Sequence, residues 1–184
     1  MEEETMKMRK LLPFVATTAI AASMFGFAAN AEDFNLPVNL ASEPQTMDPQ
    51  MNTTLDGGTM LQHLFEGLMK WEDSGEVANG TDGTADSGKL VPGQAESYEK
   101  TENDDGTVTY TFKLRDGIKW SDGKDVTAGD FEYSWKRLVN PETAADYNYM
   151  LDGVVNANEI MAGEKDPDEL AAKALDDKTF EVTL

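Results

Sequence analysis

Histidine occurs once, at position 63, and cysteine does not occur at all. A metal centre of the usual nitrogen or sulfur kind needs at least a second such ligand, so His63 reads as a surface or flanking residue of a helix. Asp82, Thr84 and Asp86 copy the start of a calcium-binding loop. Yet the position that must turn sharply as glycine is Ser87, and the closing glutamate would fall on Gly93, which makes a calcium site a poor reading. Serine, histidine and aspartate are all present, but no nucleophile elbow, phosphate-binding glycine loop or paired acid–base motif arranges them. Thiolate and disulfide chemistry have no residue to use. Nothing in the chain is a catalytic constellation.

The elements around these residues are easier to read. Val108, Tyr110, Phe112 and Leu114 alternate with Thr107, Thr109, Thr111, Lys113 and Arg115, which predicts a half-buried strand. The preceding Asn103-Asp104-Asp105-Gly106 turn pairs that strand with Ala95–Thr101 as a hairpin. Asp116-Gly117 and Ser121-Asp122-Gly123 are two further turns, with Ile118-Lys119-Trp120 as a short strand between them. Thr127 with Asp130 three residues on is a capping box. The helix it opens buries Phe131, Trp135 and Leu138 and stops at Asn140-Pro141, where the residue before proline leaves the α region. Trp120 and Trp135 are both expected to be buried.

Upstream, Leu36–Ala41 reads as a short strand and Asp48-Pro49 as a turn. Met60, Leu61, Leu64, Phe65, Leu68 and Met69 repeat at helical spacing, predicting an amphipathic helix over Gly58–Met69. Glu72–Lys89 is rich in Gly, Asp, Thr and Ser without periodicity and reads as an exposed loop. Downstream, helical segments are expected near Ala144–Leu151 and Val154–Met161, and Asp166-Pro167 reads as an N-cap with a first-turn proline. From Glu169 to Leu175 propensity favours helix. Phe180, Val182 and Leu184 alternate as a strand would.

Charge and the N-terminus bound the setting. Fifteen Lys and Arg stand against 35 Asp and Glu, a formal charge of −20 over 184 residues. Glu2, Glu3 and Glu4 cancel Lys7, Arg9 and Lys10, so the whole excess lies on Glu32–Leu184. Such a surface repels nucleic acid and anionic membrane, and its simplest use is solubility. Lys7, Arg9 and Lys10 precede an apolar run, Leu11–Ala28, and then Ala29-Asn30-Ala31, which predicts a signal peptide cleaved before Glu32. The three early glutamates suit a start at Met6 or Met8. An uncleaved anchor is the alternative, since the run is of borderline spanning length.

The segment TFKLRDGIKWSDGKDVTAGDFEYSWKRL, Thr111 to Leu138, resembles the signature region of the family 5 solute-binding proteins, which serve ABC importers. Both turns, the tryptophan between them and the capped helix come in the family's order. Glu43-Pro44-Gln45-Thr46-Met47-Asp48-Pro49 is similar to its E-P-x-x-L-D-P run, with Met47 for leucine. Leu64-Phe65-Glu66-Gly67-Leu68 and Leu90–Glu99 resemble two more of its segments, and the acidic stretch before Leu90 looks like an insertion. For Lys173–Leu184 the resemblance implies two strands around Asp176-Asp177, against the helical propensity.

The resemblance implies an α/β, periplasmic-binding-protein-like fold of type II with two lobes, of which this chain carries the N-terminal part and a β-rich accessory subdomain. It divides the chain into a signal peptide (1–31), the start of a ligand-binding lobe (32–64), an accessory subdomain (65–154) and a return to the first lobe (155–184). It further implies a monomer that captures peptides, oligopeptides foremost, and delivers them to a permease by hinge closure. Without a lipid-attachment cysteine, it places the protein in a periplasm, touching membrane only through the transporter, with no cofactor and no enzymatic role. In peptide binders a strand segment after the Asp-Pro pair bonds the ligand backbone, a role that falls on Thr53, Thr54 and Leu55. Thr53 stands where oligopeptide binders can have a carboxylate, so no charged contact is expected there. A cleft-lining tyrosine corresponds to Tyr147, for which a packing role is the equal alternative. Nickel, haem or oligosaccharide as solute, a sensory binding protein and a secreted hydrolase are the competing readings.

Overall fold

A computed structural model of the chain describes residues 37, 39–72 and 88–184. The signal-peptide reading, Leu36, Val38 and the calcium-like Asp82, Thr84 and Asp86 lie outside them. Residues Leu40–Leu184 form one unit.

Its centre is a four-stranded antiparallel sheet. Strand β3 (Ala95–Glu102) pairs with β4 (Val108–Leu114), β4 with β6 (Thr179–Thr183), and β6 with β5 (Ala172–Asp176). The hairpin expected around Asn103–Gly106 is present, with Tyr98 opposite Phe112. Gly106 takes φ +90°, a left-handed conformation that a Cβ would penalise. The Asp176-Asp177 turn joins β5 to β6, so strand pairing overrides the helical propensity of the preceding segment, because each strand gains a neighbour and a buried face. A smaller hairpin, β1 (Met69–Glu72) with β2 (Lys89–Pro92), stands apart in a two-stranded sheet.

Helix α2 (Ala128–Val139) lies on one face of the four-stranded sheet and is started as its sequence dictates. The Thr127 N–H donates to Asp130 Oδ2 at 2.8 Å, closing the carboxylate arm of the capping box. Beneath the helix Phe180 is fully buried, ringed by Trp135 edge-on at 5.4 Å, Phe131 at 6.0 Å and Phe112 at 6.5 Å between centroids. Leu114, Val139, Ile160 and Leu170 are the other large side chains fully withdrawn from water. Ile160 comes from the short helix α3 (Ala157–Met161). Strands on both sides of position 154/155 thus share one sheet and one core.

Several local expectations need correction. No strand pairing involves the described residues of 36–41, because a strand exists only with a partner ladder and β1–β6 take each other. Helix α1 runs over Leu55–Leu64, earlier at both ends than Gly58–Met69, since Thr54 caps it and Met69 opens β1. Ile118-Lys119-Trp120 contributes a single bridge, Lys119 to Asp125, and no strand. Trp120 is 41% exposed, not buried, while Trp135 is half-buried against the core. The helix expected near Ala144–Leu151 is reduced to 3₁₀ turns at Pro141–Thr143 and Asn148–Leu151. Asp166-Pro167 does open a capped turn, Pro167–Glu169, also of 3₁₀ type.

Candidate functional site

The segment that carries Thr53, Thr54 and Leu55 is built from short polar side chains bonding their own backbone. Thr46 Oγ1 accepts from the Asp48 N–H, and Asp48 Oδ1 accepts from the Gln50 N–H, each at 3.1 Å. The Asp48 carbonyl takes the N–H groups of Met51 and Asn52, both at 3.1 Å. Proline at 49 suits this turn because its fixed φ is already correct and its missing N–H is not needed. Next, Asn52 Nδ2 donates to the Thr54 carbonyl at 3.1 Å, while Asn52 Oδ1 accepts from the Thr54 N–H and hydroxyl at 3.3 and 3.1 Å. Thr54 Oγ1 caps α1 by accepting from the Gly57 N–H at 3.2 Å. Glycine at 57 is required by contact: a Cβ there would run into the Asn52 side-chain amide.

These bonds decide what the three residues can offer. Thr53 is exposed and non-helical, as a main-chain contact would require. Thr54 spends its side chain on the cap, and Leu55 is already the first helical residue, 87% exposed. The three therefore do not form a continuous strand. Tyr147 lies elsewhere, at the head of the Asn148–Leu151 turn, 45% exposed and edge-on to Tyr149 at 5.9 Å. The residue before that turn's approach, Ala144, is held at φ +51°. Two surface hollows of about 600 and 320 Å³ flank α2, and neither is lined by Thr53, Thr54, Leu55 or Tyr147.

Sequence reasoning missed what fastens this segment to the rest. Arg137 of α2 forks onto the Asp48 carboxylate, Nη1 to Oδ1 at 2.9 Å and Nη2 to Oδ2 at 2.7 Å. Gln50 completes the junction: its Oε1 accepts from Arg137, and its Nε2 donates to the Ser134 carbonyl at 2.7 Å and hydroxyl at 3.1 Å. The Arg137 fork holds the Asp48 carboxyl below its ordinary value, against a smaller opposing effect of burial. A second ion pair, Glu66 with Arg115 at 2.5 Å, ties the chain beyond α1 to the end of β4.

His63 is exposed on α1, with Nδ1 2.7 Å from the Thr59 carbonyl, as its reading required. Among the described residues no group of three His, Cys, Asp or Glu could hold a metal ion. No helix among them is long and apolar enough to cross a membrane.

A four-stranded antiparallel sheet with one capped helix across it is joined to the segment around Asp48 by a long-range Arg–Asp fork. Residues 89–184 match the bacterial extracellular solute-binding proteins, family 5, and the chain belongs to that family. It is 40% identical over 171 residues to the periplasmic oligopeptide-binding protein OppA of Salmonella typhimurium, an alignment covering 92% of this chain and 28% of that protein. Among solved structures, the Escherichia coli murein tripeptide binding protein MppA superposes with a TM-score of 0.66 at 35% identity, covering 79% of this chain and 26% of that one. Haemophilus influenzae OppA in complex with RPPGFSPFR gives 0.63 at 40% identity, covering 77% and 25%. The chain therefore spans about a quarter of the length of the relatives it matches, and carries part of the type II periplasmic-binding-protein-like fold.

Proposed function

We propose that the chain is the N-terminal share of the substrate-binding component of an ABC importer. That component captures peptides, oligopeptides foremost, outside the cytoplasmic membrane and delivers them to the permease. One observation carries the reading: identity of 40% across nearly the whole chain to a protein named as a periplasmic oligopeptide-binding protein. In this reading the protein is exported by a signal peptide over 1–31 cleaved before Glu32, works in the periplasm as a monomer, and has no enzymatic role. The stretch 32–64 belongs to the first ligand-binding lobe and 65–154 to the accessory subdomain, whose sheet and core also take in β5 and β6 of 155–184.

The mechanism is hinge closure. Peptide bridges two lobes, and the closed state gains population by the difference between its affinity for peptide and that of the open state. Thr53 supports this by offering an exposed, non-helical main chain just before the rigid α1 cap. A peptide would pair with that backbone as an added strand does, taking affinity from main-chain bonds rather than from its side chains. Tyr147, nearly half exposed, supplies an aromatic wall with a polar tip. Titration calorimetry of the full-length protein with a mixture of short peptides tests the reading. Saturable binding at about micromolar strength or tighter, −8 kcal/mol, supports it; heat indistinguishable from dilution overturns it.

A further inference from the structure

We propose that Arg137, with Gln50, is a positioning residue for ligand capture: through Asp48, 89 residues away, it sets the height and direction of the Thr53–Leu55 segment. This rests on the peptide-binding reading above. Four observations carry it. The fork is bidentate, the geometry in which guanidinium fixes direction as well as distance. Gln50 fills the remaining arm of the junction, reading the Ser134 carbonyl of α2 with its amide nitrogen and Arg137 with its oxygen. Arg137 also lines both hollows beside α2, with Met51 in one and Asp48, Pro49 and Gln50 in the other, so the turn before Thr53 is flanked there by open space. And from Asp48 onward the chain is an unbroken run of short-range bonds, through Met51, Asn52 and Thr54 to the α1 cap. A shift at Asp48 is therefore passed to Thr53 with few rotatable bonds to absorb it.

Other charges face the junction. Glu132 and Asp168 bind Lys136, the preceding residue on α2, and Asp130 holds the Thr127 cap, so none of these competes for Arg137. Lysine at 137 would keep the charge but could not hold both Asp48 oxygens and Gln50 at once. Since Asp48 and Arg137 are each about one-third exposed, the pair contributes orientation more than stability.

The test uses the full-length protein and trialanine as probe, with calorimetry and amide hydrogen exchange run on the same samples. Arg137→Ala is expected to weaken trialanine binding about tenfold, the equivalent of 1.4 kcal/mol. It should speed exchange over residues 51–58 while leaving the amides of β4 and β6 as protected as before. Arg137→Lys should recover only part of the affinity, and Lys124→Ala, which removes a well-exposed charge, should change neither readout. Unchanged affinity in Arg137→Ala overturns the proposal, as does full recovery by lysine. So does faster exchange spread evenly over β4 and β6, which would mark a merely structural role. If the unaltered protein ignores trialanine and every other short peptide, the peptide reading falls first and the positioning role with it.

Discussion

The Glu132 carboxylate on α2 takes the Ala174 backbone N–H of edge strand β5 at 2.7 Å while its other oxygen accepts from Lys136, also at 2.7 Å. A helix side chain thus occupies a donor that an edge strand would otherwise present to another chain. Burial raises the Glu132 pKa, but the bonds from Lys136 and Ala174 outweigh it, so the carboxyl sits below its ordinary value of 4.5. A group whose folded pKa is depressed gives stability above the unfolded pKa and loses it as pH falls through the folded one. Stability should therefore decline below about pH 4.5, and Glu132→Gln should flatten that decline. Urea unfolding midpoints between pH 7 and 3 decide it; equal slopes for both proteins would show that the bond has no titrating role.

Phe180 and Trp120 should part company. Phe180→Ala removes the ring on which Trp135, Phe131 and Phe112 converge and is expected to cost about 3–5 kcal/mol. Trp120, exposed and reaching Asp130 only at 3.4 Å, should cost under about 1 kcal/mol when changed to alanine. Denaturant titration of both variants gives the comparison. A large loss for Trp120→Ala would mean that the turn region packs more tightly than its exposure indicates.

The contrast shows what the sequence made legible. Local rules reach the β3–β4 hairpin and the Thr127 box, because each is written in residues only a few positions apart, whereas the Asp176-Asp177 turn follows from the family resemblance against local helical propensity. Trp120 departs from its expected burial because apolar character says nothing of whether a neighbour covers it. The β1–β2 hairpin escaped because its strands are separated by a Gly- and Asp-rich stretch that reads as loop. The expected helix begins later than α1 because its apolar spacing starts only at Met60, and runs too long because Leu68 and Met69 continue that spacing while serving a core position and a strand. The β4–β6 pairing and the Arg137–Asp48 fork join residues some 70 to 89 positions apart, and no local pattern marks either.

Gly57 offers a test with an inverted sign. Glycine to alanine inside a helix ordinarily stabilises by about 1 kcal/mol. Here the new Cβ displaces the Asn52 amide, breaking its three bonds to Thr54, each worth about 0.5–1.5 kcal/mol. Gly57→Ala alone should therefore destabilise. Combined with Asn52→Ala, whose own cost then includes those bonds, it should regain the helical benefit, a non-additivity that thermal unfolding of the two single variants and the double variant reads directly. A stabilised single variant would show that the cap around Thr53 is loose.

Native mass spectrometry of the full-length protein, purified without denaturation, tests the central claim most directly. The account predicts a family of bound masses that fragment as short peptides of mixed sequence. These should disappear after unfolding and refolding and return when peptides are added. A protein that carries no peptide and accepts none, or that instead retains a metal ion, a haem or an oligosaccharide, would contradict it.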